Sequence, residues 1–422
     1  MVVSRMVDYA QYGEMKPSRE KWLGEVPTSW KVLRLKRIFS IKKDIAGEEG
    51  HTVLSVTQKG IRPKAMSEKG QFAQDYSKYQ LVNHGDFVMN HMDLLTGWVD
   101  VSQYDGVTSP DYRVFINNKP DQFDSGYYRY IFQLCYSARI FYGLGQGVAG
   151  FGRWRLPSDM FLNFVLPVPS ISEQHAIAAY LDDQIAQIDS IIAEALASIE
   201  EYKQWKACIV FEAVTKGLNP NVRMKKSGIH WIGDIPSHWR ISRIKNEFDN
   251  LDYMREPVSA ENRENKLGLY DYYGASGVID KIDDYNVDDK VLLIGEDGAN
   301  LRMRNLPLIY RANGRIWVNN HAHILRVRIG NDYSFMAYLL EAGDYNDYIT
   351  GAAQPKLSQA NLMRFPICVP PGDEQSEIGK YLDNRCSDVD AMLHEKTALI
   401  EDMELFKRSL IYEAVTGKRK VV

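Results

Sequence analysis

The chain repeats itself, and that constrains its fold more than any other feature. Glu173-Gln-His-Ala-Ile-Ala-Ala-Tyr-Leu-Asp182 returns 201 residues later as Glu374-Gln-Ser-Glu-Ile-Gly-Lys-Tyr-Leu-Asp383. Trp22-Leu-Gly-Glu-Val-Pro-Thr-Ser-Trp30 returns as Trp231-Ile-Gly-Asp-Ile-Pro-Ser-His-Trp239 at an offset of 209, and Arg34, Lys36 and Phe39 match Arg243, Lys245 and Phe248 at that same offset. Leu156 then pairs with Leu357, Phe164-Val-Leu-Pro-Val-Pro with Phe365-Pro-Ile-Cys-Val-Pro, and Phe211-Glu-Ala-Val-Thr with Tyr412-Glu-Ala-Val-Thr, all at 201. A self-similarity this long fixes the architecture before any single element is assigned. The chain is a tandem duplication whose second copy is eight residues shorter between shared ends.

Between those ends the copies share little. Residues 40–150 and 249–350 read as mixed α/β with many short strands: Val53–Val56, Asp86–Met89, Tyr112–Ile116, Lys290–Ile294, Arg315–Val318 and Ile324–Val327 are β-branched or aromatic runs bounded by Gly, Asn, Asp or Pro. Shared frames imply one structural job; unlike interiors imply two targets. The segments after Glu173 and Glu374 have a different period. Leu181, Ile185, Ile188, Ile192, Ala195, Ile199 and Tyr202 are spaced alternately by four and three, the seam of a coiled coil. Leu382, Cys386, Val389, Leu393, Lys396, Ile400 and Met403 repeat it, diluted by Cys386 and Lys396. Ser172 and Asp373 offer N-caps and Gly217 and Gly417 offer stops. A helix from Ser172 to about Thr215 is on the order of 65 Å long. Neither helix buries its seam alone. Packing them on each other about a pseudo-twofold axis makes them antiparallel. The expected fold is α+β: two globular mixed α/β domains at opposite ends of an antiparallel two-helix coiled coil. The domains run over 1–171 and 218–372, the spacer helices over 172–217 and 373–422.

Composition excludes several classes. At 422 residues, 45% hydrophobic and 25% charged, the chain reads as an ordinary soluble protein of two or three domains. No apolar run approaches the ~18 residues of a membrane span, and the N-terminal residues lack a signal-peptide core. Cys135, Cys208, Cys368 and Cys386 form no C-x-x-C pair and read as reduced, cytoplasmic residues with no metal. Gly145-Gln-Gly147-Val-Ala-Gly150 has the G-x-G-x-x-G spacing, but Pro157 and poor helix composition follow it, so it reads as a loop. No Walker A, D-P-P-Y or N-P-P-Y motif is present, and neither Pro110-Asp111 nor Pro120-Asp121 is followed by the (D/E)-x-K of a nuclease site. His321-Ala-His323 places two imidazoles on one face of a strand, too few to specify zinc. No catalytic residues emerge.

The positive signal is basic and aromatic. A net charge of −4 means that any nucleic-acid contact depends on local patches. Residues 299–330 hold Arg302, Arg304, Arg311, Arg315, Arg326 and Arg328 without an acid, interleaved with Tyr310, Trp317, Asn319, Asn320, His321 and His323. Arginine reads guanine, asparagine and glutamine read adenine, and carboxylates such as Glu296 and Asp297 accept from cytosine. The first copy offers Gln58, Lys59, Arg62, Lys64, Asn90, His91 and Tyr112, then Arg139, Arg153 and Arg155. The competing reading is that each is a solvated surface residue, Glu296-Asp297 a polar turn, the four tryptophans packing anchors and the heptad seam core.

The duplicated W-(L/I)-G-(E/D)-(V/I)-P-x-x-W, the duplicated L-P-x-P…E-Q…I-x-x-Y-L-D, the duplicated E-A-V-T, and the stretches Val318-Asn-Asn-His-Ala-His-Ile-Leu-Arg-Val327 and Leu292-Leu-Ile-Gly-Glu-Asp-Gly298, in this order, resemble the specificity subunits of type I restriction–modification systems. The resemblance spans almost the whole chain. It implies two target-recognition domains, each reading half of a split, asymmetric sequence in double-stranded DNA, and two helices acting as spacer and docking surface. It implies as partners two modification subunits, which carry S-adenosylmethionine and methylate adenine, and through them restriction subunits that hydrolyse ATP with Mg and cleave DNA. The specificity subunit itself would hold no cofactor and catalyse nothing. The alternatives are a standalone DNA-binding module, a coiled-coil scaffold with no sequence dependence, and a standalone enzyme.

Overall fold

The computed structural model describes residues 11–64, 75–147 and 154–421. The chain divides into two compact units, Met1–Ala195 with Ala398–Val422, and Leu196–Thr397, so that the division falls inside both long helices, Ile171–Lys216 and Gly372–Val415.

In the first unit a hairpin, Met15–Pro17 with Glu25–Pro27, carries the first tryptophan frame. Lys31–Arg34 then pairs antiparallel with Val165–Val168, closing the interior between them. That interior is a four-stranded antiparallel sheet in the order Phe39–Lys42, Arg113–Asn117, Phe87–Met89, Val99–Val101. Helix Ser125–Ser137 covers it. Asp124 caps the helix by accepting from the Tyr127 amide at 2.7 Å, and Tyr128, Ile131, Phe132 and Cys135 fall on one buried stripe at helical spacing. Phe39, Phe87, Phe115, Phe132, Phe141 and Phe161 meet edge-to-face and stacked in the core.

The second unit repeats this frame: Met224–Lys226 with Asp234–Pro236, then Arg240–Arg243 with Pro366–Val369. Its interior is larger, a six-stranded sheet ordered Phe248–Asn250, Ala322–Val327, Val287–Gly295, Ile309–Val318, Tyr270–Gly274, Gly277–Ile282. Tyr270–Gly274 runs parallel to Ile309–Val318 and the other pairs are antiparallel. Helix Tyr333–Ala342, capped by Asp332, covers it with Phe335, Leu339 and Leu340 on an aliphatic face that includes Leu292, Ile294 and Leu325. Each strand expected from the sequence lies within or beside an observed one, and Val287–Gly295 and Ile309–Val318 extend well beyond the expected runs.

The repeated words have local causes. Trp22 stacks on Phe164 at 5.3 Å, and Trp231 on Phe365 at 5.4 Å, so the tryptophan frame and the L-P-x-P strand hold each other. The glutamine of E-Q is a clamp. Gln174 accepts from the Asp124 amide at 2.8 Å and donates to Pro169 O at 3.0 Å; Gln375 accepts from the Asp332 amide at 2.9 Å and donates to Pro370 O at 3.0 Å. The aspartate of Y-L-D ties to the covering helix: Asp182 to Arg129 and Tyr130, Asp383 to Ser334. In E-A-V-T the Ala and Val side chains are buried and the threonine hydroxyl back-bonds, Thr215 to Phe211 O and Thr416 to Tyr412 O.

The long helices have 46 and 44 residues. The first starts one residue before the expected Ser172, because Ser170 rather than Ser172 accepts the Glu173 amide; in the second, Asp373 lies inside the first turn. Gly217 and Gly417 end them, both at φ +74°, where a side chain is disfavoured. Leu181, Ile188, Leu382 and Val389 are buried, and Ile185, Ile192, Ile199, Leu393, Ile400 and Met403 are half-buried. Within the first unit Lys407 pairs with Asp189 at 2.6 Å, and within the second Lys206 pairs with Asp390 at 2.6 Å. Among the described residues no helix is long and apolar enough to cross a membrane. All four cysteines are free.

Candidate nucleic-acid interface

In the first unit the hairpin Leu54–Thr57/Gly60–Pro63 carries Gln58 and Lys59 in its turn and Arg62 on its second strand, all exposed. The turn is fixed by Thr57 Oγ1, which accepts from the Lys59 amide at 3.1 Å and donates to Gly60 O at 2.9 Å. Asn90 and His91 follow strand Phe87–Met89, and Tyr112 precedes strand Arg113–Asn117. Asn90 shapes its own turn, since its Oδ1 accepts from the Met92 amide at 3.3 Å. His91 and Tyr112 line a cleft of about 280 Å³ together with Lys43, Arg113 and Ser158, whereas Gln58, Lys59 and Arg62 are not among its walls. Burial, then the nearby Arg113 and Arg155, holds the His91 imidazole down at about 4, so it is neutral at physiological pH. Burial also lowers Arg113, to about 10. The Arg113 guanidinium lies over the Phe161 ring at 4.6 Å and donates through Nη2 to Leu156 O at 2.8 Å and Ser158 Oγ at 3.3 Å. Arg155 is exposed, and its backbone bridges that of Gln146. Arg153 lies outside the described residues.

Gly145 of the G-x-G run has a packing role. A Cβ there would meet the Trp154 indole at 2.3 Å, and Trp154 Nε1 donates to Tyr142 O at 2.8 Å. Gly150 lies outside the described residues.

In the second unit Glu296 and Asp297 follow strand Val287–Gly295, and Asn319, Asn320 and His321 form the turn into strand Ala322–Val327. The two segments adjoin: the Glu296 amide donates to His321 O at 2.8 Å, and His321 Nδ1 meets Asp297 Oδ2 at 2.8 Å. Asn319 is buried and braces the turn by accepting from the His321 amide at 2.8 Å; Asn320 is exposed. Glu296 is committed to two cations, Arg255 and Lys356, the latter at 2.9 Å. Burial works against its charge, but those partners keep its pKa below the usual carboxylate range. Behind it, buried His323 bridges Asp252 Oδ2 at 2.6 Å and Leu357 O at 2.7 Å. Burial opposes the Asp252 charge too, and the His323 hydrogen bond and charge outweigh it.

The two histidines of H-A-H therefore do not share a face: His321 sits in the turn and His323 in the core. Among the described residues no group of three or more His, Cys, Asp or Glu is placed to hold a metal ion. Arg304, at φ +52°, spends its guanidinium on Glu341 O and Gly343 O, which makes it a brace; Arg302 on the preceding turn is exposed. The arginine-rich stretch is not a bare cationic strip. Arg311 pairs with Asp383, Arg315 with Asp288, Arg326 with Asp249 and Asp289, and Arg328 with Asp249. Sequence reading passed over Lys43, Arg113, Asp252, Arg255 and Lys356. The offset of 209 aligns Lys43 with Asp252 four residues after the matched phenylalanines, and that opposition of charge was the available signal.

Comparison with known proteins agrees with this architecture. A type I restriction modification DNA specificity domain matches twice, over residues 27–201 and 236–402. The Methanocaldococcus jannaschii type I restriction enzyme MjaVIII specificity subunit is 24% identical over 99% of both chains. A putative Haemophilus influenzae specificity subunit is 31% identical over 32% of this chain and 34% of that protein. A chain solved in a study of complex assembly and conformational transition of the type I R-M system aligns over 92% of this chain and 98% of its own, with TM-score 0.69 and 13% identity. The HsdS subunit from Thermoanaerobacter tengcongensis aligns over 93% and 98%, with TM-score 0.50 and 14% identity. Two copies of one domain, matched over most of the length, establish that the chain belongs to the type I restriction–modification DNA specificity family.

Proposed function

We propose that this chain reads a bipartite DNA sequence, one half with each interior, and that its long helices set the gap between the halves and dock two modification subunits. The observation that carries the reading is one joint, built twice from the same residues, holding two unlike sheets. One joint serves one assembly; unlike sheets present unlike side chains to base edges. In this reading the recognition domains run over 1–171 and 218–372, with spacer helices over 172–217 and 373–422. Gln58, Lys59, Arg62, Tyr112, Arg155, Arg302, Asn320 and His321 supply exposed or half-exposed contacts. Asn319 shapes the surface from beneath, Asn90, His91, Glu296 and Asp297 contribute from partly exposed positions, and exposed Arg304 braces the adjoining loop.

Support for an antiparallel spacer comes from the ion pairs. Asp189 and Asp390 are repeat counterparts, as are Lys206 and Lys407, and each aspartate pairs with the lysine of the other copy. The steps from 189 to 206 and from 390 to 407 are both 17 residues, so one antiparallel register accounts for both pairs. Support for two docked copies of one partner comes from exposed apolar residues that also recur as counterparts: Trp205 with Phe406, and Met392 with Ile191. Adenine methylation with S-adenosylmethionine, and ATP- and Mg-dependent cleavage, belong on this reading to the partner subunits.

The test is co-expression with the modification subunits and genome-wide mapping of methylated adenines. Exchanging residues 249–350 for another interior is expected to change one half-site only. Inserting one heptad in both helices, roughly 10 Å, is expected to widen the gap by about three base pairs. A chimera that alters both half-sites, or an insertion that leaves the gap unchanged, overturns the reading.

A further inference from the structure

Equivalent positions in the two interiors follow from shared backbone bonds. The Leu156 amide donates to His91 O at 2.9 Å, and the Leu357 amide to Glu296 O at 2.7 Å, which makes His91 the counterpart of Glu296. Arg113 donates to Leu156 O and His323 Nε2 meets Leu357 O, which makes Arg113 the counterpart of His323. Lys43 answers to Asp252 at the offset of 209, and Arg155 to Lys356 at 201. In the second interior this constellation neutralises itself, with Asp252 and Glu296 facing His323, Arg255 and Lys356.

In the first interior both acids are gone. None of the described residues lining the cleft is acidic. Arg113 is 4% exposed, and among the described residues its Nη1 has no partner; His91 Nδ1 is buried and equally without one. Lys43 is exposed on the rim and takes part in no ion pair among the described residues. Asp111 acts on His91 but does not line the cleft. A guanidinium removed from water with no counter-charge is costly, and polar atoms buried without a partner call for one. The half-satisfied side of Arg113, the rim lysine, the Tyr112 hydroxyl and the Ser158 hydroxyl make a donor set suited to an oxyanion.

We propose that the cleft in the first interior is an anion site that takes a phosphate group on Arg113 and Lys43, the ligand supplying the negative charge that Asp252 and Glu296 supply in the second. The group comes either from the DNA backbone, in which case the inference rests on the DNA reading above, or from free phosphate. On the first source the cleft fixes the register of one recognition domain on its half-site without reading a base.

The test uses the full chain and three variants: Lys43→Gln, Arg113→Gln and, as a control, Lys356→Gln, whose charge Glu296 already offsets. Anisotropy of a labelled mixed-sequence duplex is followed against salt, and melting temperature is followed with inorganic phosphate against chloride at equal ionic strength. For a backbone phosphate, the log–log salt slope of Lys43→Gln is shallower than wild type by about 0.9, and that of Lys356→Gln is unchanged. For free phosphate, slopes stay the same, but phosphate raises the melting temperature of wild type and not of Lys43→Gln. Wild-type slope and wild-type phosphate response in Lys43→Gln overturn the proposal, and this exposed variant decides the matter if Arg113→Gln does not fold. Should the wild-type chain not bind duplex by itself, the slopes are measured on its complex with the modification subunits, while the phosphate arm decides the cleft on the chain alone.

Discussion

Ile38 and Glu247 occupy the same place in the two repeats. The carbonyl of each accepts a backbone amide at 2.9 Å, from Asn118 in one case and Arg328 in the other, yet their side chains have nothing in common. Ile38 is buried among hydrophobic neighbours. Glu247 is equally buried, but sits in a basket of donors: Arg240 through both terminal nitrogens at 2.6 and 2.9 Å, with Ser242 and Asn331 completing it. The same divergence separates Lys43 from Asp252 and Arg113 from His323. The duplicated halves share a scaffold of main-chain bonds and let the side chains on it diverge, even to opposite charge. Equivalence of backbone is therefore a poor guide to equivalence of stability or ligand.

Four experiments probe that comparison. The largest effect is expected from coring out the aromatic interior. Phe115→Ala should cost roughly 3–5 kcal/mol, because Phe115 is fully buried against Phe39, Phe87, Phe132 and Phe161. Hydrogen exchange should show protection lost across Phe39–Lys42 and Arg113–Asn117 and kept across Val287–Gly295. Equal loss in both sheets would mean that the interiors do not behave as separate cores.

Acid should then distinguish the halves. Burial opposes the Glu247 charge, but the hydrogen bonds from Arg240, Ser242 and Asn331 prevail and bring its pKa from 4.5 down to about 2. A depressed folded-state pKa stabilises above the unfolded value, and that stability disappears as pH falls from about 4.5 to about 2. Discounted for the solvent that screens the half-exposed Arg240, the amount is about 2 kcal/mol. Thermal melts over that range should show Glu247→Gln less stable at neutral pH and less pH-sensitive than wild type, whereas substitutions at Ile38 leave the pH profile unaltered.

Helix ends come next. Gly217→Ala should cost roughly 1–2 kcal/mol from its left-handed backbone, since the nearest atom to its new Cβ is Glu374 Oε1 at 3.2 Å. Gly417→Ala should cost more, because its Cβ would fall 2.3 Å from Pro27 Cδ. Comparable melting temperatures for the two variants would contradict the difference in packing. The smallest effect belongs to the reciprocal ion pairs. Double-mutant cycles on Asp189–Lys407 and Lys206–Asp390 should each return about 0.2–1 kcal/mol, alike within error, both shrinking in high salt.

Much of the fold was legible because its causes are local or repeated. The heptad spacing of Leu181, Ile185 and Ile188 and the matched tryptophans identify helices and joints without knowledge of any long-range contact. The charge balance was not legible. Residues 299–330 lack an acid in sequence, but strand pairing brings Asp288 beside Arg315 and Asp249 beside Arg326, and no local rule foresees that register. Arg113 went unremarked because a lone arginine before a hydrophobic run gives no sign that it is buried. His321 and His323 alternate as strand residues would, but the turn ends after His321 and sends the two rings apart.

The glutamine clamp has an evolutionary reading. Gln174 grips only backbone amides and carbonyls, and Gln375 adds to its two backbone bonds a single side-chain bond, to Asn331, so the grip depends little on the identity of the cassette held. Foreign sequence that ends on a helix with an open amide could seat in the same socket. Recombination between the sockets would then exchange a whole interior in one step and leave the joint as it was.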